Sequence, residues 1–286
     1  MKSVATRNPY ICDGCAPKLQ RSVFAFVDVL GYKDWVKKTK GRANQESLLL
    51  RLHNALSSSR DWLDGGNLPD FIQKFGDRDR FSLKAFTDNI AVGWPIGFRR
   101  GDGEGELISA LHDLATFQLK MVQAGFFIRG AVAVGDIYVD EIAVYGDALV
   151  DAHKGESKLA KDPRIVLTES AKDVLQGYLD TPSISGGAQR SRGVWQDNDG
   201  QWFVNYLDTI LIAEDQVGPF FSELKQHKGS VQSKLEEYGH DAAIFAKYAW
   251  TAGYHNDFCD FHGFEARHKI DSDVFASQRG PIINRD

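Results

Sequence analysis

Hydrophobic positions along the chain change their spacing from element to element, and those changes divide it. Residues 22 to 30 are almost wholly apolar, Val23-Phe-Ala-Phe-Val-Asp-Val-Leu30, with one carboxylate, Asp28, near the end. Such a run predicts a buried strand. A helical region opens at Gly31 and continues over 44 to 63, where Leu48, Leu49, Leu52, Leu56 and Leu63 form one stripe before Gly65-Gly66. Residues 81 to 94 carry two short apolar segments around Thr87-Asp88-Asn89, a predicted hairpin with Asp88 at its tip. A Gly- and acid-rich loop over 99 to 106 follows, and then period 3.6 returns over 106 to 124 with Gly125 as the cap.

Two β-rich stretches, 126 to 135 and 137 to 145, predict strands joined by a short turn. Residues 147 to 159 then predict a helix, 164 to 168 a strand and 169 to 179 a helix. The order β-α-α-β-β-α-β predicts an α+β fold of the ferredoxin-like type, with helices on one face of an antiparallel sheet. Residues 183 to 192 read as a loop, and Asp197-Asn-Asp-Gly200 joins 194–196 to 201–207 as a hairpin. Helical segments are expected at 217 to 224, 231 to 238 and 241 to 253, before a polar tail. The organisation expected is an arm over 1–20, a catalytic domain over 21–180 and a C-terminal hairpin, helices and tail over 181–286.

Composition narrows the function classes. A length of 286 residues supports a full core, and the apolar runs at 23–30 and 126–134 are far shorter than the roughly 20 residues of a spanning helix. With no signal-peptide core at the N-terminus, a cytoplasmic protein is expected. The net charge of −5, from 34 basic and 39 acidic residues well mixed, argues against nucleic acid as a partner. Three cysteines, Cys12, Cys15 and Cys259, fit a reducing compartment without a disulfide framework. A structural Zn²⁺ site could draw on Cys12, Cys15, His255, Cys259 and His262, although the spacing is irregular and a frayed arm is the alternative.

Asp28 and Asp88 stand out because a charge at the end of a buried strand is costly unless paired. Two strand-end carboxylates suit a hard divalent cation, whose shell substrate phosphates complete. Each also has an ordinary role available, as a helix cap or a turn residue.

These residues lie in stretches that resemble class III nucleotidyl cyclases. Phe26-Val-Asp-Val-Leu-Gly31 is similar to the family's first metal motif, and Lys84-Ala-Phe-Thr-Asp88 to its Lys-x-x-Gly-Asp hairpin. Arg129-Gly-Ala-Val-Ala-Val-Gly135 and Glu141-Ile-Ala-Val-Tyr-Gly-Asp147 resemble its later strands and the turn into its last catalytic helix. The resemblance covers roughly residues 22 to 175 and rests on the ordered set of motifs. It departs on that helix, where Val150 stands at the place of the family's Asn and Lys154 at that of its Arg. With the block Lys247 to Asn256, these departures look more like the pyrimidine cyclases of bacterial Pycsar antiphage systems.

The resemblance implies two divalent metals, Mg²⁺ or Mn²⁺, held by Asp28 and Asp88 with the Val29 carbonyl. It implies that Lys154 or Arg129 stabilises charge at phosphorus, that Lys84 and Glu141 read the base, and that the enzyme is a homodimer. Expected chemistry is conversion of UTP, with CTP as the nearest competitor, to 3′,5′-cyclic nucleotide and pyrophosphate, the product acting on a separate effector. Lysine donates and glutamate accepts, a pair that uracil, cytosine and adenine all satisfy; bulky Phe86 or Tyr145 would disfavour purines. Alternatives are an adenylate cyclase, a palm-type polymerase joining nucleotides, or a sensor that binds nucleotide without turnover.

Overall fold

The computed structural model describes residues 8–12, 14–63, 81–86, 88–97, 104–180, 193–211, 221–271 and 279–282. Strand β1 (Gln20–Val29) lies between β3 (Asn89–Pro95) and β4 (Ile128–Val139), antiparallel to both. β2 (Ser82–Phe86) pairs β3 as the expected hairpin. The strand order β2-β3-β1-β4, with helices α1 (Tyr32–Lys38), α2 (Arg42–Leu63) and α3 (Glu104–Gln123) between the strands, is the ferredoxin-like arrangement. Gly31, at φ 79°, makes the left-handed turn out of β1 into α1, a conformation that glycine adopts without a Cβ penalty.

Helices cover both faces of the sheet, where the sequence predicts one. Val23, Ala25 and Val27 enter the larger core with Leu111, Leu114 and Phe117 of α3. Phe24 and Phe26 join Ala148 and Ala152 of α4 (Asp147–Lys158) on the other face. This accounts for the unbroken apolar run, because each alternating set of β1 side chains has its own cover. Gly155 brings α4 close to the sheet: a Cβ there would come within 2.6 Å of the Ala131 side chain.

The sequence predicts a turn at 136, but β4 runs through it, since Ser22, Arg21 and Gln20 of β1 pair Gly135, Asp136 and Ile137. The chain reverses at 140–143 instead, where Asp140 Oδ1 accepts from the Ile142 and Ala143 amides at 2.8 and 2.6 Å. β5 (Val144–Gly146) then returns along β4. β6 (Ile165–Leu167) is parallel to β4, and α5 (Glu169–Asp180) follows.

Beyond α5, β7 (Val194–Gln196), β8 (Trp202–Val204) and β9 (Gly280–Pro281) extend the same sheet through a β6–β8 pairing. Residues 206–211 form a 3₁₀ turn rather than strand. Instead of two helical segments there is one, α6 (Phe221–Glu237). α7 (Ala242–Phe261) continues eight residues past 253, because Gly253 is buried and the helix packs on most of its circumference.

The N-terminal arm is docked through Tyr10, which is buried and donates to Ser22 Oγ at 2.9 Å. The Gly65-Gly66 stop, the loop over 99–103, the loop over 183–192, residues 217–220 and the last four residues of the tail lie outside the described residues.

Candidate functional site

The edge-to-edge register of three strands assembles the site. Asp28, one residue from the end of β1, has Asn89 as its partner on β3 and Arg129 as its partner on β4. The Val29 amide donates to the Asp88 carbonyl at 2.9 Å, which fixes the hairpin tip beside β1. Asp28 lies on the same alternating face as Phe24 and Phe26, the face covered by α4. A cleft of about 460 Å³ opens there, with Asp28, Val29, Asp88, Arg129, His153 and Glu156 among its lining.

Glu156 is the acid that the sequence reading misses. It follows Ala148 and Ala152 at spacings of four, so it sits on the buried stripe of α4. That spacing is the signal that would have found it. Arg129 Nε donates to Asp28 Oδ2 at 3.3 Å, and its Nη1 donates to the Ala160 carbonyl at 3.4 Å. Its Nη2 stands 2.8 Å from Glu156 Oε1, an ion-pair distance without hydrogen-bond alignment.

The Arg129 guanidinium thus serves two carboxylates of the cleft, Asp28 and Glu156. Burial pushes the Asp28 carboxyl above its ordinary 3.8, against the pull of Arg129, and Asp88 pushes it further up. Burial likewise raises Glu156, again against Arg129, with Asp28 and Asp88 adding to the rise. At both Asp28 and Glu156 burial outweighs the pull of the nearby cations, Arg129 with Lys33 at the first and Arg129 with His153 at the second.

The donor set fits a hard divalent cation. Asp28 and Asp88 both line the cleft, near enough for Asp88 to raise Asp28, and Val29 borders it with them. Among the described residues no three His, Cys, Asp or Glu side chains form a complete cage. A cation here would take the rest of its shell from water and phosphate oxygens, as Mg²⁺ commonly does.

The other expected residues stand apart. Lys84 is half-buried on β2 in a separate hollow of about 250 Å³ with Ala91, Val144 and Leu149. The acid that feels its charge is Asp140, held below its ordinary value mainly by the Ala143 amide and also by Lys84. Glu141 is exposed on the turn that Asp140 organises, where Asp140 accepts from the Ile142 and Ala143 amides and the Tyr138 hydroxyl. Tyr145 is 70% exposed and does not close a pocket, while the Phe86 side chain lies outside the description. Lys154 is exposed on α4 and is not among the cleft's lining.

The proposed zinc ligands are not brought together. Cys12 and Cys15 are joined in a disulfide, their Cα atoms 5.2 Å apart, where composition argued against one. Cys259 is buried, and burial pushes its thiol up to about 12. His255 is engaged with His227 at 3.0 Å between the Nδ1 atoms and with the His268 carbonyl at 2.8 Å.

No family model and no curated protein matches the chain. Among solved structures, it is similar to the monomeric guanylyl cyclase domain of the RhoGC fusion protein from Blastocladiella emersonii, at 14% identity and a TM-score of 0.42 over 66% of this chain and 96% of that one. It is similar to the adenylyl cyclase CyaB from P. aeruginosa at 11% identity and a TM-score of 0.43, covering 65% and 94%. A class III adenylyl cyclase-like ATP-binding protein from Pseudomonas aeruginosa matches at 12% identity and a TM-score of 0.42, covering 57% and 37%. Likenesses this loose carry no argument about activity, and the fold assignment rests on the strand order itself.

Proposed function

We propose that the chain is a divalent-metal-dependent nucleotidyl cyclase that converts UTP to 3′,5′-cyclic UMP and pyrophosphate. The observation that carries this reading is the strand-end pair Asp28 and Asp88, which line one open cleft together with Arg129. Asp28 and Asp88, with the Val29 carbonyl, would hold Mg²⁺ or Mn²⁺. The bound cation would make the ribose 3′-hydroxyl more acidic and offset phosphate charge. The chain then has to align the 3′-oxygen with the α-phosphorus opposite the departing pyrophosphate, and this positioning supplies much of the rate. Arg129, anchored at Glu156 and Ala160, is placed to stabilise charge on the α-phosphoryl oxygens.

Lys84 in its hollow is the proposed base-contacting donor, with Asp140 and Glu141 nearby on the β4–β5 turn as acceptors. Preference for UTP, with CTP next, and a signalling role in antiphage defence through a separate effector follow from the resemblance to Pycsar cyclases. A homodimer is supported by Ile142, Tyr145 and Val150, which are 89%, 70% and 69% exposed. Apolar residues so exposed fit a second copy, which would bring Lys154 toward the partner's cleft.

Nucleotide binding without turnover is a second reading, favoured by Val150 at the place of the family's Asn. Incubating the protein with each of the four NTPs and Mn²⁺ or Mg²⁺, followed by mass spectrometry, separates the readings. Cyclic UMP as the main product supports the first, while linear oligonucleotides or unchanged NTP would remove it.

A further inference from the structure

α7 lies beyond the stretch that resembles cyclases, yet it forms part of the cleft through Lys247. Its first turns are firmly placed. Asp241 caps the helix by accepting from the Ala243 and Ile244 amides, both at 3.1 Å. Tyr248 is buried, meets Phe127 edge-on at 4.9 Å and stacks on Tyr238 at 5.5 Å. Phe127 is two residues before Arg129, so the contact that seats α7 also ties it to the site's own strand.

Lys247 is half-buried but forms no ion pair with a carboxylate among the described residues. Four other partly buried lysines do find a carboxylate, Lys120 with Glu223, Lys172 with Glu169, Lys234 with Glu237 and Lys269 with Asp260, while Lys228 donates to the Arg267 and Lys269 carbonyls and Lys84 lines its own hollow. A half-buried ammonium without an anion is costly to hold, and here it faces the cleft. Lys33 and Lys37, one turn apart on α1, line the same cleft, and Asp34 is the acid among them. Lys33 is close enough to Asp28 to draw its carboxyl down.

Charge in the cleft is thus divided between an acidic floor of Asp28, Asp88 and Glu156 and a basic rim of Lys33, Lys37 and Lys247. A linear polyphosphate carrying a divalent cation matches both parts, the cation meeting the floor and the outer phosphates the rim. We propose that Lys247, supplied by α7, joins Lys33 and Lys37 of α1 as the binding site for the terminal phosphates of a nucleoside triphosphate. The proposal deepens the cyclase reading and rests on it for the nucleotide. It makes α7 a wall of the active site, and it directs the leaving pyrophosphate toward that wall.

Calorimetric titration of the full chain with Mg²⁺ and inorganic tripolyphosphate, and separately with UMP, tests it. Wild type should bind tripolyphosphate, Lys247→Ala should weaken that binding about tenfold, the worth of one charge-assisted contact, and Lys247→Arg should restore most of it. UMP binding should not change. Should Lys247→Ala fail to fold, a Lys33→Ala, Lys37→Ala double variant reads the same rim. Absence of tripolyphosphate binding, or equal binding by wild type and Lys247→Ala, would overturn the proposal. Tripolyphosphate binding that depends on Lys247 in a protein that cyclises no NTP would sink the cyclase reading and leave the rim standing.

Discussion

The protein gathers charge in two places, the cleft floor and the region beneath the C-terminal strands, and completes only one of them. Beneath the strands, Asp197 accepts from Arg164, from the Asn198 amide at 2.7 Å, from Trp250 Nε1 at 2.7 Å and from Arg279 Nε at 2.9 Å. Arg164 also reaches Asp199, Arg279 reaches Asp257 at 3.1 Å, and both guanidinium groups lie over the Trp250 ring. On the cleft floor, Asp28 accepts one hydrogen bond from a side chain among the described residues, at 3.3 Å; both places border open volume, the cleft at Asp28 and a hollow of about 740 Å³ at Asp197 and Arg279. Burial acts on carboxylates in both places. At Asp199 burial raises the carboxyl, but the bonds from Arg164 and the Gln201 amide leave it below its ordinary value. At Asp28 burial wins, as it also does at Asp162 within reach of Arg164 and Asp197, so the bonds that Asp197 and Asp199 accept set the two places apart. Closed networks of this kind hold structure, whereas one with fewer internal bonds has capacity for a ligand.

The largest expected effect on stability is at the closed cluster. Arg164→Ala removes one partner of a fully buried pair and should cost about 3–5 kcal/mol in urea denaturation. Asp28→Ala should change stability by less than about 1 kcal/mol, since it also relieves carboxylate repulsion. Equal losses in the two variants would erase the distinction.

Packing gives the next effect. Gly155→Ala would press a methyl against Ala131 and Thr168, at a cost of about 1–3 kcal/mol. Because α4 carries Glu156 and His153, turnover should fall with it, and a variant of wild-type stability and activity would show that the close approach is not needed.

His255, paired with His227, and the cleft carboxyls should respond to pH with opposite signs. His255 is pushed down to about 4 by burial, so its contribution to stability is complete above its ordinary 6.5 and is lost as pH falls through about 4. Asp28 and Glu156 are raised, so in metal-free protein their contribution is complete below their ordinary 3.8 and 4.5 and is lost as pH rises through the folded values. Denaturation midpoints against pH should therefore rise less steeply between 4 and 6.5 in His255→Gln than in wild type. In Asp28→Asn they should fall less as pH rises above 3.8, and unchanged profiles in both would contradict the assigned environments.

The smallest stability effect is expected at Lys154, exposed on α4, where Lys154→Ala should stay within about 0.5 kcal/mol of wild type. Its activity should nonetheless fall. Mixing it with Asp88→Ala should recover part of that activity through heterodimers carrying one intact site. No recovery despite subunit exchange would argue against Lys154 or against a site shared between copies.

The first four strands and the strand-end positions of Asp28 and Asp88 were legible in the sequence, because strand ends, hairpin turns and 3.6-residue stripes are local signals. Glu156 was half legible: the stripe of 148, 152 and 156 was present, but a glutamate in a helix reads as surface. Lys247 carried no local signal, since its place depends on Tyr248 finding Phe127 across more than a hundred residues. Lys84 and Glu141 were paired on the expectation of neighbouring strands, and the continuation of β4 to Val139 moved the turn so that Asp140 took the inner position. Alternation alone could not show this, because Gly135 and Asp136 look like a turn until β1 is laid beside them.

The central claim is that Asp28 and Asp88 hold the cation through which a nucleoside triphosphate is cyclised. Single-turnover assays of wild type, Asp28→Ala and Asp88→Ala with UTP at saturating Mn²⁺ test it most directly. The account predicts cyclic UMP and pyrophosphate in equal amounts from wild type and at least about a hundredfold less from either folded variant. Cyclisation at near wild-type rate by either variant would contradict it.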